Sequence, residues 1–136
     1  MRITVDTNVL VSSTFWAGDS DRIIRMVEDK EIELVLSEEI IKEFIRVLNY
    51  DDIKKKVKNL DMRRPVEKIV SIAKIISPRE KIKAVKDDPD DDKFLECAQE
   101  GKAEYLVSKD NHLLKIRNYK GIKILLPQDF LKIIGD

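Results

Sequence analysis

The hydrophobic positions of the chain form short, nearly continuous runs that alternate with longer stretches of helical periodicity. Runs rich in Ile, Leu and Val predict strands buried on both faces, at residues 3–5, 32–36, 105–107 and 122–125. Apolar residues that repeat every three to four positions predict helices, at residues 20–30, 37–48, 51–61, 65–76, 91–101 and 127–134. This alternation predicts an α/β fold with a mainly parallel sheet flanked by helices.

Residues that favour helix ends support these limits. Ser37 is a candidate N-cap, Pro65 and Pro127 suit first helical turns, and Gly101 suits a helix C-terminus. The two helices predicted in the middle third follow one another without a convincing strand between them. We therefore expect a helical hairpin there, covering one side of a cleft.

Length and composition narrow the class of protein. At 136 residues and 15.8 kDa, the chain predicts one domain, 1–136. No apolar run approaches the roughly 20 residues needed to span a bilayer, and the N-terminus lacks the pattern of a signal peptide. These features predict a cytoplasmic protein without a membrane partner. The single cysteine, Cys97, excludes an internal disulfide framework and a thiolate zinc cage.

Charge leaves a nucleic-acid partner open, because 26 basic and 26 acidic residues cancel, whereas such binding depends on local basic density. Two acids follow predicted strands: Asp6 after the first, and Asp110 shortly after the third. In an open parallel α/β sheet, ligands bind outside the carboxyl ends of the strands. The alternative for Asp6 is that it only caps a following helix.

Glu43 lies on the helix predicted at 37–48, beside the edge of its apolar stripe and about 40° from Val47. It could lean over the end of the sheet, or it could be an ordinary solvated glutamate. The acidic run 87–92 has five carboxylates in six residues, more than the dipole of one helix stabilises. On the helix that follows, we expect Asp92 and Glu96 to face a cleft together, with Asp92 nearer the strand ends.

A bound cation would relieve the repulsion in this acidic run. Oxygen ligands select hard ions such as Mg²⁺ or Mn²⁺, which activate water and stabilise charge in phosphodiester hydrolysis. The acids therefore point to metal-dependent hydrolysis.

The motifs together resemble the PIN-domain family over nearly the whole chain. The resemblance rests on residues 5–10 (VDTNVL), on residues 36–37 followed by Glu43, and on residues 90–98 (DDDKFLECA) and 103–110 (AEYLVSKD). It implies a three-layer α/β/α sandwich with a mainly parallel central sheet. It also implies Mg²⁺ or Mn²⁺ as cofactor, and cleavage of single-stranded RNA to leave a 5′-phosphate.

Carried over residue by residue, the resemblance assigns the catalytic and metal-binding roles to Asp6, Glu43, Asp92 and Asp110. It gives supporting places to Asn8, Ser108, Asp90 and Glu96. For Asp90, Asp91 and Glu96, simple solvated charges remain the alternative. One departure is His112, where related sequences often carry another acid; this histidine could touch phosphate or metal, or lie on the surface.

The family members it resembles most are small prokaryotic toxin components. This implies an antitoxin protein partner and a homodimer, with RNA as substrate. Candidate RNA contacts are Lys42, Arg46, Lys93 and Lys109, each of which is otherwise an ordinary solvated cation. Two alternatives stay open: a catalytically silent PIN-like scaffold that binds RNA or protein, and a stand-alone RNA-processing nuclease.

Other classes fit less well. A phosphorylated receiver domain needs adjacent acids after its first strand, where Asp6 stands alone, and a haloacid-dehalogenase-like phosphatase needs an acid where Asn8 stands. Phosphate-binding loops need closely spaced glycines, whereas the four glycines here are isolated. A Ser-His-Asp hydrolase would need a nucleophile elbow.

Overall fold

A computed structural model describes residues 1–57 and 61–135. Its strands are β1 (Arg2–Val5), β2 (Glu33–Ser37), β3 (Ala73–Ile76), β4 (Tyr105–Val107), β5 (Asn118–Tyr119) and β6 (Ile122–Leu125). They form one sheet in the order β3-β2-β1-β4-β6-β5. Only the β5–β6 pair is antiparallel among the described strands. The four predicted strands are confirmed. β1, β2 and β4 are mainly buried on both faces, whereas β6 buries Ile122 and Ile124 and exposes Lys123.

The helices of the described residues are α1 (Thr7–Phe15), α2 (Asp19–Glu28), α3 (Glu38–Leu48), α4 (Asp51–Lys56), α5 (Arg63–Ile72), α6 (Asp92–Glu100), α7 (Asn111–Leu114) and α8 (Pro127–Ile133). The predictions at 20–30, 37–48, 91–101 and 127–134 are confirmed by α2, α3, α6 and α8. Ser37 caps α3 as expected, since its side chain accepts a hydrogen bond from the amide of Ile40.

The helices lie on both faces of the sheet. Thr4 of β1 contacts the thiol of Cys97 on α6, while the ring of Tyr105 on β4 packs against Phe130 on α8. Thr4 pairs with Leu106, the neighbour of Tyr105, and neighbouring residues of a strand point to opposite faces. Hence α6 and α8 cover opposite faces, which confirms the three-layer α/β/α sandwich.

The predicted helix at 65–76 is wrong in its second half. The helix α5 ends at Ile72, and Ala73–Ile76 form β3, which pairs with β2 in parallel. Ile69, Ile72 and Ile76 fit a helical repeat, while residues 73–76 (AKII) also fit a short strand, so periodicity alone could not separate the two elements. The second helix predicted for the middle third is therefore a shorter helix that leads into an edge strand. In the segment predicted as a helix at 51–61, α4 ends at Lys56, and residues 58–60 lie outside the described part.

Sequence patterning missed α1, α7 and β5. The helix α1 has no amphipathic pattern, because Thr7, Val9, Leu10 and Val11 are all buried. Its sequence is rich in β-branched residues, which favour strands in isolation. Burial beneath other helices, with α1 contacting both α2 and α3, decides its conformation instead. None of the described helices has the length and apolarity to cross a membrane.

Candidate metal centre

Asp6 follows β1 at the carboxyl edge of the sheet and is almost fully buried. Its Oδ1 caps α1 by accepting a hydrogen bond from the amide of Val9 at 2.9 Å. Its Oδ2 accepts from the hydroxyl of Ser108 and from the amide of Lys109. Burial raises the pKa of Asp6, although these hydrogen bonds oppose the shift. Asp6 is thus both a helix cap and a carboxylate at the strand ends.

Ser108 joins Asp6 to Asp110, which lies just beyond the adjacent strand β4. The hydroxyl of Ser108 donates to Asp6 and accepts from the amide of Asp110 at 2.9 Å. Asp110 caps the short helix α7, since its Oδ1 accepts from the amide of His112 at 2.7 Å. The parallel pairing of β1 and β4 brings these two acids to one edge of the sheet, as the sequence predicted.

Four side chains, which we call the metal cluster, converge beside Asp110. Asp88, Asp91, Asp110 and His112 each offer a ligand atom, and these atoms lie within 4.8 Å of one another. The acidic run reaches this place through a 3-10 turn at Pro89–Asp91, capped by the side chain of Asp88. The ring Nδ1 of His112 lies 3.7 Å from Asp110 Oδ1. Carboxylate oxygens with one imidazole form a donor set for a divalent cation.

Asp91 has the most perturbed carboxyl of this cluster. The side chain is buried, and no hydrogen-bond donor among the described residues reaches its Oδ2. Burial, a hydrogen bond with Asp110 and the charges of Asp110 and Asp88 raise the pKa of Asp91 to about 8. Burial alone would raise the pKa of Asp110 too, but the bond from Asp91 and the His112 amide lower it. The pKa of Asp91 is thus raised at a place where the charge of a cation would favour the carboxylate.

Glu43 lies in a second group, which we call the lysine cluster: Glu43, Asp90 and Lys93. The Oε1 of Glu43 accepts from the hydroxyl of Thr7, and its Oε2 contacts the ammonium of Lys93. Arg46 lies 3.5 Å from the same Oε2. Glu43 therefore does lean over the sheet end, beside the residue that follows Asp6, and it does so in contact with cationic side chains.

Lys93 remains charged although it is buried. Burial lowers the pKa of Lys93, but hydrogen bonds to Glu43 and Asp90 outweigh it and leave the pKa above its usual value. The same ammonium holds the pKa of Asp90 below its usual value. Lys93 is thus a fixed positive charge within an acidic neighbourhood.

Asp92 and Glu96 occupy a different place from the one expected. Both are buried, and both hold the loop that runs beside α6. Asp92 Oδ1 accepts from the amides of Ala84 and Val85 at 3.0 and 2.8 Å, and Glu96 Oε2 accepts from the amide of Ile82 at 2.9 Å. The expectation that these two acids face a cleft is wrong, because segment 82–85 covers that face of α6. A metal-binding role for Asp92 stays a prediction.

The remaining sequence candidates are spread around the two clusters. Asn8 is exposed on the first turn of α1. Asp90 is exposed and bonds to Lys93 at 2.9 Å. Lys109 reaches Ser12 Oγ at 3.0 Å on the rim of the site. Sequence reasoning gave no role to Asp88 and treated Asp91 as secondary. The run of five acids indicated a cation site in this segment. The turn at Pro89–Asp91 decides which of these acids lie beside Asp110.

Comparison with known protein families gives a match over most of the chain. A family model described as PIN domain matches residues 2–112. The matched segment runs from β1 into α7 and contains both the metal cluster and the lysine cluster. No curated protein matches the chain.

Proposed function

The chain belongs to the PIN-domain family, and from that premise we propose that it is a divalent-metal-dependent endoribonuclease acting on single-stranded RNA. PIN domains are generally metal-dependent nucleases. The observation that carries the proposal for this chain is Asp91, whose buried Oδ2 meets no donor among the described residues. A carboxylate in such a place, beside two further acids and an imidazole, fits a cation.

Asp88, Asp91 and Asp110 would hold the ion through carboxylate oxygens, with His112 beside them. Such a set suits Mg²⁺ or Mn²⁺, and an imidazole ligand favours Mn²⁺ of the two. A bound ion would activate the attacking water and stabilise the charge that develops on the scissile phosphate. Asp6, oriented by Ser108 and by the amide of Lys109, adds negative charge next to Asp110.

RNA is the proposed substrate, and hydrolysis leaving a 5′-phosphate is the proposed reaction. Cations at the rim support binding of a polyanion: Lys109 lies beside Ser12, and Arg46 lies beside Glu43. Lys and Arg side chains near a carboxylate centre can position phosphates while the acids hold the metal.

We further propose that the chain is a toxin that acts in the cytoplasm, with an antitoxin protein as its partner and a homodimer as its assembled form. It rests on the resemblance to small prokaryotic toxin components. Induced expression of the wild-type chain should then arrest bacterial growth, and the Asp6→Asn chain should not. Normal growth with active wild-type enzyme would favour a stand-alone RNA-processing nuclease.

The nuclease proposal is tested with end-labelled single-stranded RNA and three proteins: wild type, Asp6→Asn and Asp29→Asn. Asp6→Asn removes one charge with little change of shape, and Asp29→Asn makes the same change at an exposed position at the end of α2. We expect cleavage by wild type and Asp29→Asn in Mg²⁺ or Mn²⁺, none in EDTA, and a rate at least about 100-fold lower for Asp6→Asn.

Equal cleavage by all three proteins, or cleavage that survives EDTA, would contradict the proposal and indicate a contaminant. Absence of cleavage by every protein, with intact metal binding, would favour a catalytically silent scaffold. Analysis of the product ends tests the chemistry, because the proposed reaction leaves a 5′-phosphate.

A further inference from the structure

We propose that the ammonium of Lys93 takes the place of a second metal ion, so that the site binds a single divalent cation. This inference rests on the proposed metal-dependent function and defines how its site is built. Two-metal nuclease sites place two cations side by side to balance the charge of clustered carboxylates and phosphate. Here one of those positive charges is part of the protein.

The position of Lys93 supports this substitution. Its side chain is 7% exposed, and its Nζ contacts Glu43 Oε2 and lies 2.9 Å from Asp90 Oδ2. A lysine so deeply buried is uncommon unless it is paired. The ammonium thus bridges two carboxylates from different elements, α3 and the acidic turn before α6. Bridging of this kind is what a metal ion does between carboxylate ligands.

The carboxylates of the two clusters differ in how completely they are satisfied. Both oxygens of Glu43 already have donors, one from Thr7 and the other from Lys93 with Arg46 nearby. Asp91, in contrast, has a buried oxygen that no donor among the described residues reaches. Among the described residues, the metal cluster therefore keeps one carboxylate oxygen open to a ligand, whereas both oxygens of Glu43 in the lysine cluster already have donors.

The two clusters adjoin each other along the chain. Asp90 of the lysine cluster precedes Asp91 of the metal cluster. Thr7, which donates to Glu43, follows Asp6, and Ser108 joins Asp6 to Asp110 of the metal cluster. A lysine at this place is a compact point charge with three donors, and a phosphate bound at the metal cluster would lie in its field. Lys93 and one ion together supply the two positive charges.

The test counts bound Mn²⁺ by electron paramagnetic resonance and calorimetry, in the absence of RNA. We expect wild type to bind one ion per chain. Lys93→Met keeps an unbranched side chain of similar length but removes the charge, so Asp90 loses its bonded cation and Glu43 keeps only Arg46 among the described cations, at 3.5 Å. This variant should bind two ions, and the Mn²⁺ dependence of its RNA cleavage should change from first order to second order.

Lys93→Arg is the matched control, because it keeps the charge and should still bind one ion. Glu43→Gln gives a second measurement that keeps the charge of Lys93. Because Glu43 binds Lys93 rather than metal in this proposal, the affinity for Mn²⁺ should stay within about threefold, whereas loss of a metal ligand would cost tenfold or more. Circular dichroism establishes that each variant is folded.

Two ions bound to wild type, one ion bound to folded Lys93→Met, or a tenfold loss of affinity in Glu43→Gln would overturn the inference. Two ions in an active wild-type enzyme would leave the proposed nuclease function standing. Absence of any bound ion in wild type would overturn both proposals, so the two failures are distinguishable.

Discussion

Asp91 and Asp92 are neighbours in the chain, but their carboxylates have opposite surroundings. Asp92 accepts two backbone hydrogen bonds from the loop beside α6, so it ties that loop to the helix. Asp91 is buried beside Asp88 and Asp110, with an oxygen that no described donor reaches. The backbone satisfies the carboxylate of Asp92, whereas one oxygen of Asp91 keeps no described donor.

Asp91→Asn should change how the stability of the metal-free protein depends on pH. The folded-state pKa of Asp91 is raised to about 8, against an ordinary value of 3.8. A carboxyl whose pKa is raised by folding stabilises the protein below the unfolded pKa, and this stability is lost as pH rises toward the folded pKa. Wild type should therefore lose stability between about pH 4 and pH 8, and Asp91→Asn should lose less.

Thermal unfolding in EDTA across this pH range, repeated with Mn²⁺ in place of EDTA, measures the difference. We expect Asp91→Asn to be on the order of 2 kcal/mol more stable than wild type at pH 8, and to lose the stabilisation that Mn²⁺ gives wild type. Asp29→Asn should follow the wild-type profile. If the stability of wild type and of Asp91→Asn changed with pH in the same way, burial would not raise the pKa of Asp91, and the prediction would be contradicted.

At the scale of elements, patterning succeeded where an element has one apolar face or a fully apolar core strand. The helices α2 and α3 have polar outer faces, and β1 and β4 lie in the middle of the sheet, so hydrophobicity alone located them. It failed for α1, which is buried on several sides, and for β3, whose conformation is set by pairing with β2. Tertiary contacts that the sequence does not display decide both elements.

Gly101 joins two elements by close packing and provides an element-scale prediction. It ends α6 at φ −78°, so its conformation suits any residue. A Cβ there would lie 2.7 Å from Val35 Cγ2, and 3.1 Å from both Ile76 Cδ1 and the carbonyl of Cys97. Gly101 therefore allows α6 to pack closely against β2 and β3. The sequence indicated only that Gly101 suits the end of a helix, and it did not indicate this close packing.

We expect Gly101→Ala to lower the free energy of unfolding by about 1 to 3 kcal/mol, because Val35 is buried and cannot move away freely. Urea denaturation measures the change. Gly18→Ala is the control, since a Cβ at Gly18 would meet nothing within 4 Å, and its expected effect is below about 1 kcal/mol. Equal effects of the two substitutions would contradict the packing role of Gly101.

At the scale of the whole molecule, the site is assembled from stretches that are far apart in the chain. The parallel sheet predicted from the sequence placed Asp6 and Asp110 at the same edge, and the pairing of β1 with β4 in the structure brings them together. The meeting of Glu43 with Lys93, 50 residues apart, depends on how α3 and α6 pack around the sheet end. The spacing of residues in one sequence does not predict how two helices pack. The sequence therefore indicated Glu43 as a candidate site residue but did not predict its contact with Lys93.

The central claim is that Asp88, Asp91 and Asp110, beside His112, hold a divalent cation. The most direct measurement is a crystal structure with Mn²⁺, in which anomalous scattering locates the metal. We expect one strong anomalous peak within about 2.5 Å of carboxylate oxygens of Asp91 and Asp110, with Lys93 still bound to Glu43. A peak elsewhere, or none at saturating Mn²⁺, would contradict the claim.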